Sequence, residues 1–106
     1  MNAESNRLEK YMAIDHELQR AKRIHPKYPK DMLEQLAIMQ EEAGEVTKAV
    51  LHYIDGCGSI EDVKMELKQT AAMCMRMLEN LKTDKNYEEE KMTDTYLPEQ
   101  DMKDSD

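Results

Sequence analysis

Apolar residues recur every three or four positions as far as about residue 83, and beyond that the period is lost. Leu8, Tyr11, Ile14, Leu18, Ala21 and His25 form one stripe, which predicts a first helix from about Ser5 to His25. Pro26 and Pro29 end it, because a proline disfavours helical geometry at the residue before it; His25 to Lys30 therefore reads as a short extended connection. Asp31 with Glu34 has the spacing of an N-cap and its capping-box partner, and it opens a second helix that runs to about Ile54. Asp55-Gly-Cys-Gly-Ser59 breaks the chain, with glycine free to take the positive φ of a helix C-cap, and Ser59 with Asp62 starts a third helix. That helix carries Val63, Leu67, Thr70, Cys74, Met77, Leu78 and Leu81 on one side, with Glu66, Gln69, Met73 and Arg76 alongside.

The second helix is patterned on two sides. Its main stripe, expected to face the core, holds Leu33, Leu36, Ala37, Ala43, Gly44, Thr47, Val50, Leu51 and Ile54. Ile38, Glu42, Glu45, Ala49 and His52 fall together on another side, so carboxylates stand among small and apolar residues where a solvated face carries neither. Glu41, Glu42 and Glu45 crowd one and a half turns, and like charges at helical spacing repel by about 0.2 to 0.5 kcal/mol per pair. A hard divalent cation with oxygen ligands offsets such a cluster; the competing reading is a plain solvated face in a chain with 36% charged residues. The connection between the second and third helices is about five residues, so the two must pack antiparallel. Counted from that turn, Glu45 and Glu66 lie at nearly equal distances, and the two acid groups meet at one level.

Composition narrows the class. The chain has 106 residues, no Trp or Phe, ten Met, three Gly and three Pro, which suits one all-α domain whose small core invites oligomerisation. Cys57 and Cys74 have no metal-ligand spacing and read as reduced thiols of a cytoplasmic protein. No segment has the length and apolarity of a membrane span, and the amino terminus lacks the pattern of a signal peptide. The formal charge is −8, with nine acids and three lysines in residues 84–106, so the imbalance lies mostly there. We expect a helical domain over residues 1–83 and an acidic flexible tail over 84–106, with one helical turn near Tyr87 to Met92 and with Tyr96 and Leu97 available to a partner subunit. No basic stripe with interleaved aromatics is present, which argues against a nucleic-acid polymer as ligand, whereas a small phosphorylated ligand bridged by a cation suits the acids.

The run Gln40-Glu41-Glu42-Ala43-Gly44-Glu45-Val46, followed about twenty residues later by Glu66-Leu67-x-Gln69-Thr70-Ala71-Ala72, resembles the MazG-like, all-α nucleoside triphosphate pyrophosphohydrolases, and within them the short, phage-type branch. The family pattern is E-E-x-x-E, a connection, then E-x-x-D, and the likeness covers roughly residues 26 to 82. It implies three helices completing a four-helix-type bundle by oligomerisation to a dimer or tetramer, and Mg²⁺-dependent release of nucleoside monophosphate and pyrophosphate, with Mn²⁺ as a substitute cation. It places Glu42, Glu45 and Glu66 at metal-ligand positions and Glu41 beside them, as the group that activates water or holds a second ion. The last position of the pattern is Gln69 in this chain, which offers a metal a neutral carbonyl oxygen and no charge. Lys27, Lys30, His52 and Arg76 are the candidate substrate contacts, with the bland readings being solvated lysines and a hydrogen-bonded structural histidine. The rival function is a helical nucleotide-binding or interaction module without turnover; a purely structural role rests only on the Met-rich stripes and the acidic tail.

Overall fold

The computed structural model describes residues 3–81; the expectations for residues 84–106 lie outside them. Among the described residues the chain is all helical, with α1 over Ala3–Ile24, α2 over Met32–Ile54 and α3 over Ile60–Asn80, and no strand. None of these helices is long and apolar enough to cross a membrane.

The helix ends form where local chemistry puts them. Asp31 N-caps α2, its carboxylate accepting the Glu34 amide at 3.1 Å. Ser59 caps α3 through a complete box: its hydroxyl accepts the Asp62 amide at 3.1 Å, and the Asp62 carboxylate accepts the Ser59 amide at 3.3 Å. In the turn between them Gly56 has φ +84°, and the His52 carbonyl accepts from both Cys57 and Gly58 amides. A Cβ at Gly58 would come within 3.0 Å of the His52 Cβ, so glycine there permits the close approach that folds the hairpin.

α3 is the central element, packed against both α1 and α2. α2 runs antiparallel to it, as the short connection requires, and the Thr70 hydroxyl reaches the Glu42 carbonyl at 3.1 Å as well as its own helix's Glu66 carbonyl at 2.8 Å. α1 runs in the same direction as α3: Arg20 is level with Gln69, while Ala21 and His25 are level with Arg76. From Arg20 back to Ala3 is about 25 Å of helix, but from Gln69 back to Ile60 only about 14 Å, so the first turns of α1 overrun the hairpin. Leu8 and Tyr11 are consequently exposed, and the predicted α1 stripe is covered only from Ile14 to Ala21, with Leu18 buried and His25 exposed at its end.

The faces of α2 are the reverse of the sequence expectation. The side carrying Gln35, Ile38, Glu42, Val46 and Ala49 turns inward, whereas Leu33, Leu36, Leu51 and Ile54 of the expected core stripe stand exposed on the opposite side. α3 does the same in part: Ala72 and Arg76 are buried, Glu66, Gln69 and Met73 half-buried, and Leu67, Cys74 and Leu78 exposed. The cause is the residues at closest approach. Ala49 and Ala72 let backbones come near, and Thr70 then bonds across, which no face of bulky leucines permits.

The buried cation ties the elements together. Arg76, 5% exposed, donates from Nη2 to the His25 carbonyl at 2.7 Å and from Nη1 to the Ala21 carbonyl at 3.5 Å, and its guanidinium lies 4.6 Å from the centroid of the Tyr28 ring. It thus satisfies the His25 carbonyl just beyond α1, adds a second donor to the Ala21 carbonyl, which already accepts the His25 amide at 2.8 Å, and favours that end electrostatically. Gln35, fully buried, donates to the Pro29 carbonyl at 2.9 Å and holds the other end of the connection. Arg76→Met keeps the apolar stem and removes these donors; it is expected to cost about 2–3 kcal/mol and lower the melting temperature by roughly 10–20 °C, checked by circular dichroism, and an unchanged melt would show that the connection is held by other contacts.

Candidate functional site

Between the second half of α1, the connection, α2 and α3 lies a cleft of about 370 Å³. Its walls differ in charge. Arg20 of α1, paired with Glu17, and Lys27 of the connection border it on one side, Glu41 and Glu42 of α2 on another, and Ile24, Ile38, Ala72 and Met73 make it apolar between them. Tyr28 lines it too; its hydroxyl is buried without a partner among the described residues, and burial raises its pKa above the ordinary tyrosine value, an effect the Arg76 charge tempers.

Glu41 and Glu42 line the cleft, and Glu45 and Glu66 are near enough to act on Glu42 electrostatically. Glu42 is half-buried and its carboxyl is pushed above the usual range, first by burial and then by Glu66, Glu41 and Glu45, with Arg20 pulling the other way. Glu66 enters this field from α3, so the level matching read from the length of the connection holds between the two helices. Among the described residues no three His, Cys, Asp or Glu side chains are drawn together as a ready cage for an ion. The carboxylates form instead an electronegative rim with more charge than its neighbours neutralise.

Gln69 stands between that rim and α1. With the amide oriented so that both of its ends are matched, its oxygen accepts from Arg20 Nη2 at 3.2 Å and its nitrogen donates to Glu66 Oε1 at 3.2 Å. Arg20 is in turn held by Glu17, whose Oε1 accepts from Nε at 3.1 Å and lies 3.1 Å from Nη2 in an ion pair. Neither Glu17 nor Arg20 was singled out by sequence reasoning. The signal was present: Ala13, Glu17, Ala21 and Ile24 form a row along α1, and an acid inside such a row is the same anomaly that drew attention to Glu42.

The other expected contacts divide. Lys27 and Arg76 border the cleft, whereas Lys30 does not. Arg76 gives its donors to backbone carbonyls and its face to Tyr28, so it shapes the cleft. His52 is exposed at the hairpin end, about 15 Å along α2 from Glu42, with its carbonyl closing the turn. No family model, curated protein or solved structure matches the chain.

A raised carboxyl in the folded state binds its proton more tightly than in the unfolded chain. The Glu42 contribution therefore favours the fold at acidic pH and turns against it as pH rises from the ordinary carboxylate value through the raised one. In metal-free solution at neutral pH, Glu42→Gln should raise the melting temperature by a few degrees, the scale of about 0.2–0.5 kcal/mol relieved per like-charged neighbour, with the gap closing toward pH 4. Thermal melts across that range check this, and a variant less stable than the native protein at pH 7 would show that Glu42 is not repelled.

Proposed function

We propose that the chain is a Mg²⁺-dependent nucleoside triphosphate pyrophosphohydrolase of the MazG-like kind. The observation that carries the reading is the electrostatic meeting of Glu42 with Glu41, Glu45 and Glu66, from two helices, beside a cleft that Arg20 and Lys27 also line. The donor chemistry fits the cation. Carboxylate oxygens suit Mg²⁺, and waters and substrate phosphates fill the positions that the protein leaves open, so a closed protein cage is not required.

Glu42, Glu45 and Glu66 hold the ion in this reading. When bound, it neutralises the phosphates and polarises the attacked phosphorus. Glu41, exposed at the cleft next to Glu42, takes the proton of the attacking water. The water oxygen bonds to the α-phosphorus, the bond from that phosphorus to the α,β-bridging oxygen breaks, and the electron pair leaves with pyrophosphate. Lys27 meets the phosphates, and the apolar stretch through Ile24, Ile38 and Met73 receives the base and sugar.

The exposed Leu33, Leu36, Leu51 and Ile54 of α2, with Leu67 and Leu78 of α3, are more apolar surface than a chain of this length leaves to water. A second copy covering them gives the four-helix-type bundle, as dimer or tetramer. Sedimentation should show no monomer at micromolar concentration; a stable monomer would remove this part of the reading.

The second reading is a nucleotide-binding or interaction module without turnover, favoured by one observation: position 69 brings no charge to the rim, and its oxygen is engaged by Arg20. Pyrophosphate release from a panel of triphosphates decides between them. Turnover is expected only with Mg²⁺ or Mn²⁺, Glu41→Gln should slow it by roughly 10²–10⁴-fold, and Glu42→Gln or Glu45→Gln should raise the Mg²⁺ needed for half-maximal rate by about tenfold or more. Variants at Glu42 and Glu45 that turn over like the native protein would remove the assignment.

A further inference from the structure

Resting on the triphosphate reading, we propose that Arg20 is the phosphate-recognising group of the cleft and that Gln69 is a positioning residue that holds it there, contributing no oxygen to the metal. Four side chains in line make the device. Glu17, on the buried face of α1 and 9% exposed, accepts from Arg20 Nε at 3.1 Å and pairs in charge with Nη2 at 3.1 Å. Gln69 accepts from Nη2 at 3.2 Å and passes its own amide hydrogen to Glu66 at 3.2 Å. Nε and Nη2 are thus both engaged. Nη1, with two N–H donors, has no protein partner among the described residues, and Arg20 lines the cleft with its side chain 40% exposed. A guanidinium fixed on one edge and open on the other is arranged for oxygens of a polyanion.

The choice of an amide follows from what each side is. Gln69 faces a cation on one side and a carboxylate on the other, and its carboxamide accepts from the first and donates to the second at once, which a carboxylate cannot do. An aspartate here, the residue of the MazG-like pattern, cannot donate to Glu66 and repels it, and it pairs with Arg20, withdrawing that charge from a phosphate. The amide bridges Glu66 and Arg20 without adding a charge to either side. The two halves of the cleft are thus kept apart in charge although their side chains are joined by hydrogen bonds.

The experiment compares the full-length native protein with Gln69→Ala, Gln69→Glu, Arg20→Ala, Arg20→Lys and Glu42→Gln in two titrations. Mn²⁺ alone is followed by electron paramagnetic resonance, and inorganic triphosphate with Mg²⁺ by calorimetry; thermal melts of the same samples report folding. Arg20→Ala should weaken triphosphate binding by roughly tenfold or more, with Arg20→Lys recovering only part because it cannot keep the fixed edge. Gln69→Ala should weaken triphosphate several-fold while leaving Mn²⁺ affinity within about twofold, and Glu42→Gln should lose Mn²⁺. Gln69→Glu, which retains the length and the acceptor, should weaken triphosphate without tightening Mn²⁺ and serves if the alanine variant melts early. If Gln69→Ala loses Mn²⁺ as Glu42→Gln does, or Gln69→Glu tightens it, Gln69 is a ligand and this inference falls while the enzymatic reading stands. Triphosphate affinity unchanged in Arg20→Ala overturns the role of Arg20. A native protein that binds neither probe sinks the enzymatic reading and this inference together.

Discussion

A single buried guanidinium holds this small fold together. Arg76 sits on α3's inner face near its C-terminal end, donates to two carbonyls at the end of α1 and lies against the Tyr28 ring of the connection. A charge is tolerated in so little core because its donors meet backbone dipoles and its face meets an aromatic ring, so burial leaves it solvated by protein. The arrangement sets the direction of α1 along α3, and the connection that follows then closes one end of the cleft. Gln35, reaching back to Pro29 from α2, completes that closure.

The same polar interior explains why the helices show their apolar sides outward. α1, α2 and α3 meet through Ala49, Ala72, Thr70, Glu17, Gln35 and Arg76, small or hydrogen-bonding groups, and the leucines of α2 are left on the far side. Periodicity located the helices well: both N-caps, the hairpin break and the end of α2 at Ile54 agree with the sequence reading. It misassigned which α2 stripe faces α3, because a hydrophobic stripe marks a surface that leaves water without saying what covers it. The weaker stripe, with carboxylates between Ile38 and Ala49, was the internal one.

The site was legible to the extent that it followed from chain length. A short antiparallel connection places Glu66 level with the acids of α2, and the electrostatic field at Glu42 contains Glu66 first among its charged neighbours. What α1 contributes was not legible in this way, since its register on α3 depends on Arg76 and on contacts with no fixed sequence separation. Arg20 therefore emerged only with the fold, and with it the reason for an amide at position 69. His52, grouped with the acids by helical phase, shares their side of α2 but lies turns away along the axis, a coordinate that phase alone does not carry.

The central claim is that an acid cluster beside a cleft that Arg20 and Lys27 also line serves cation-dependent attack at an α-phosphorus. Phosphorus-31 resonance of a nucleoside triphosphate incubated with the protein tests it most directly, run with Mg²⁺ and again with a chelator present. The account requires nucleoside monophosphate and pyrophosphate to appear in equal amounts with Mg²⁺ and neither to appear with chelator. Orthophosphate with a nucleoside diphosphate, or a triphosphate that stays intact across the panel with Mg²⁺ present, would contradict it.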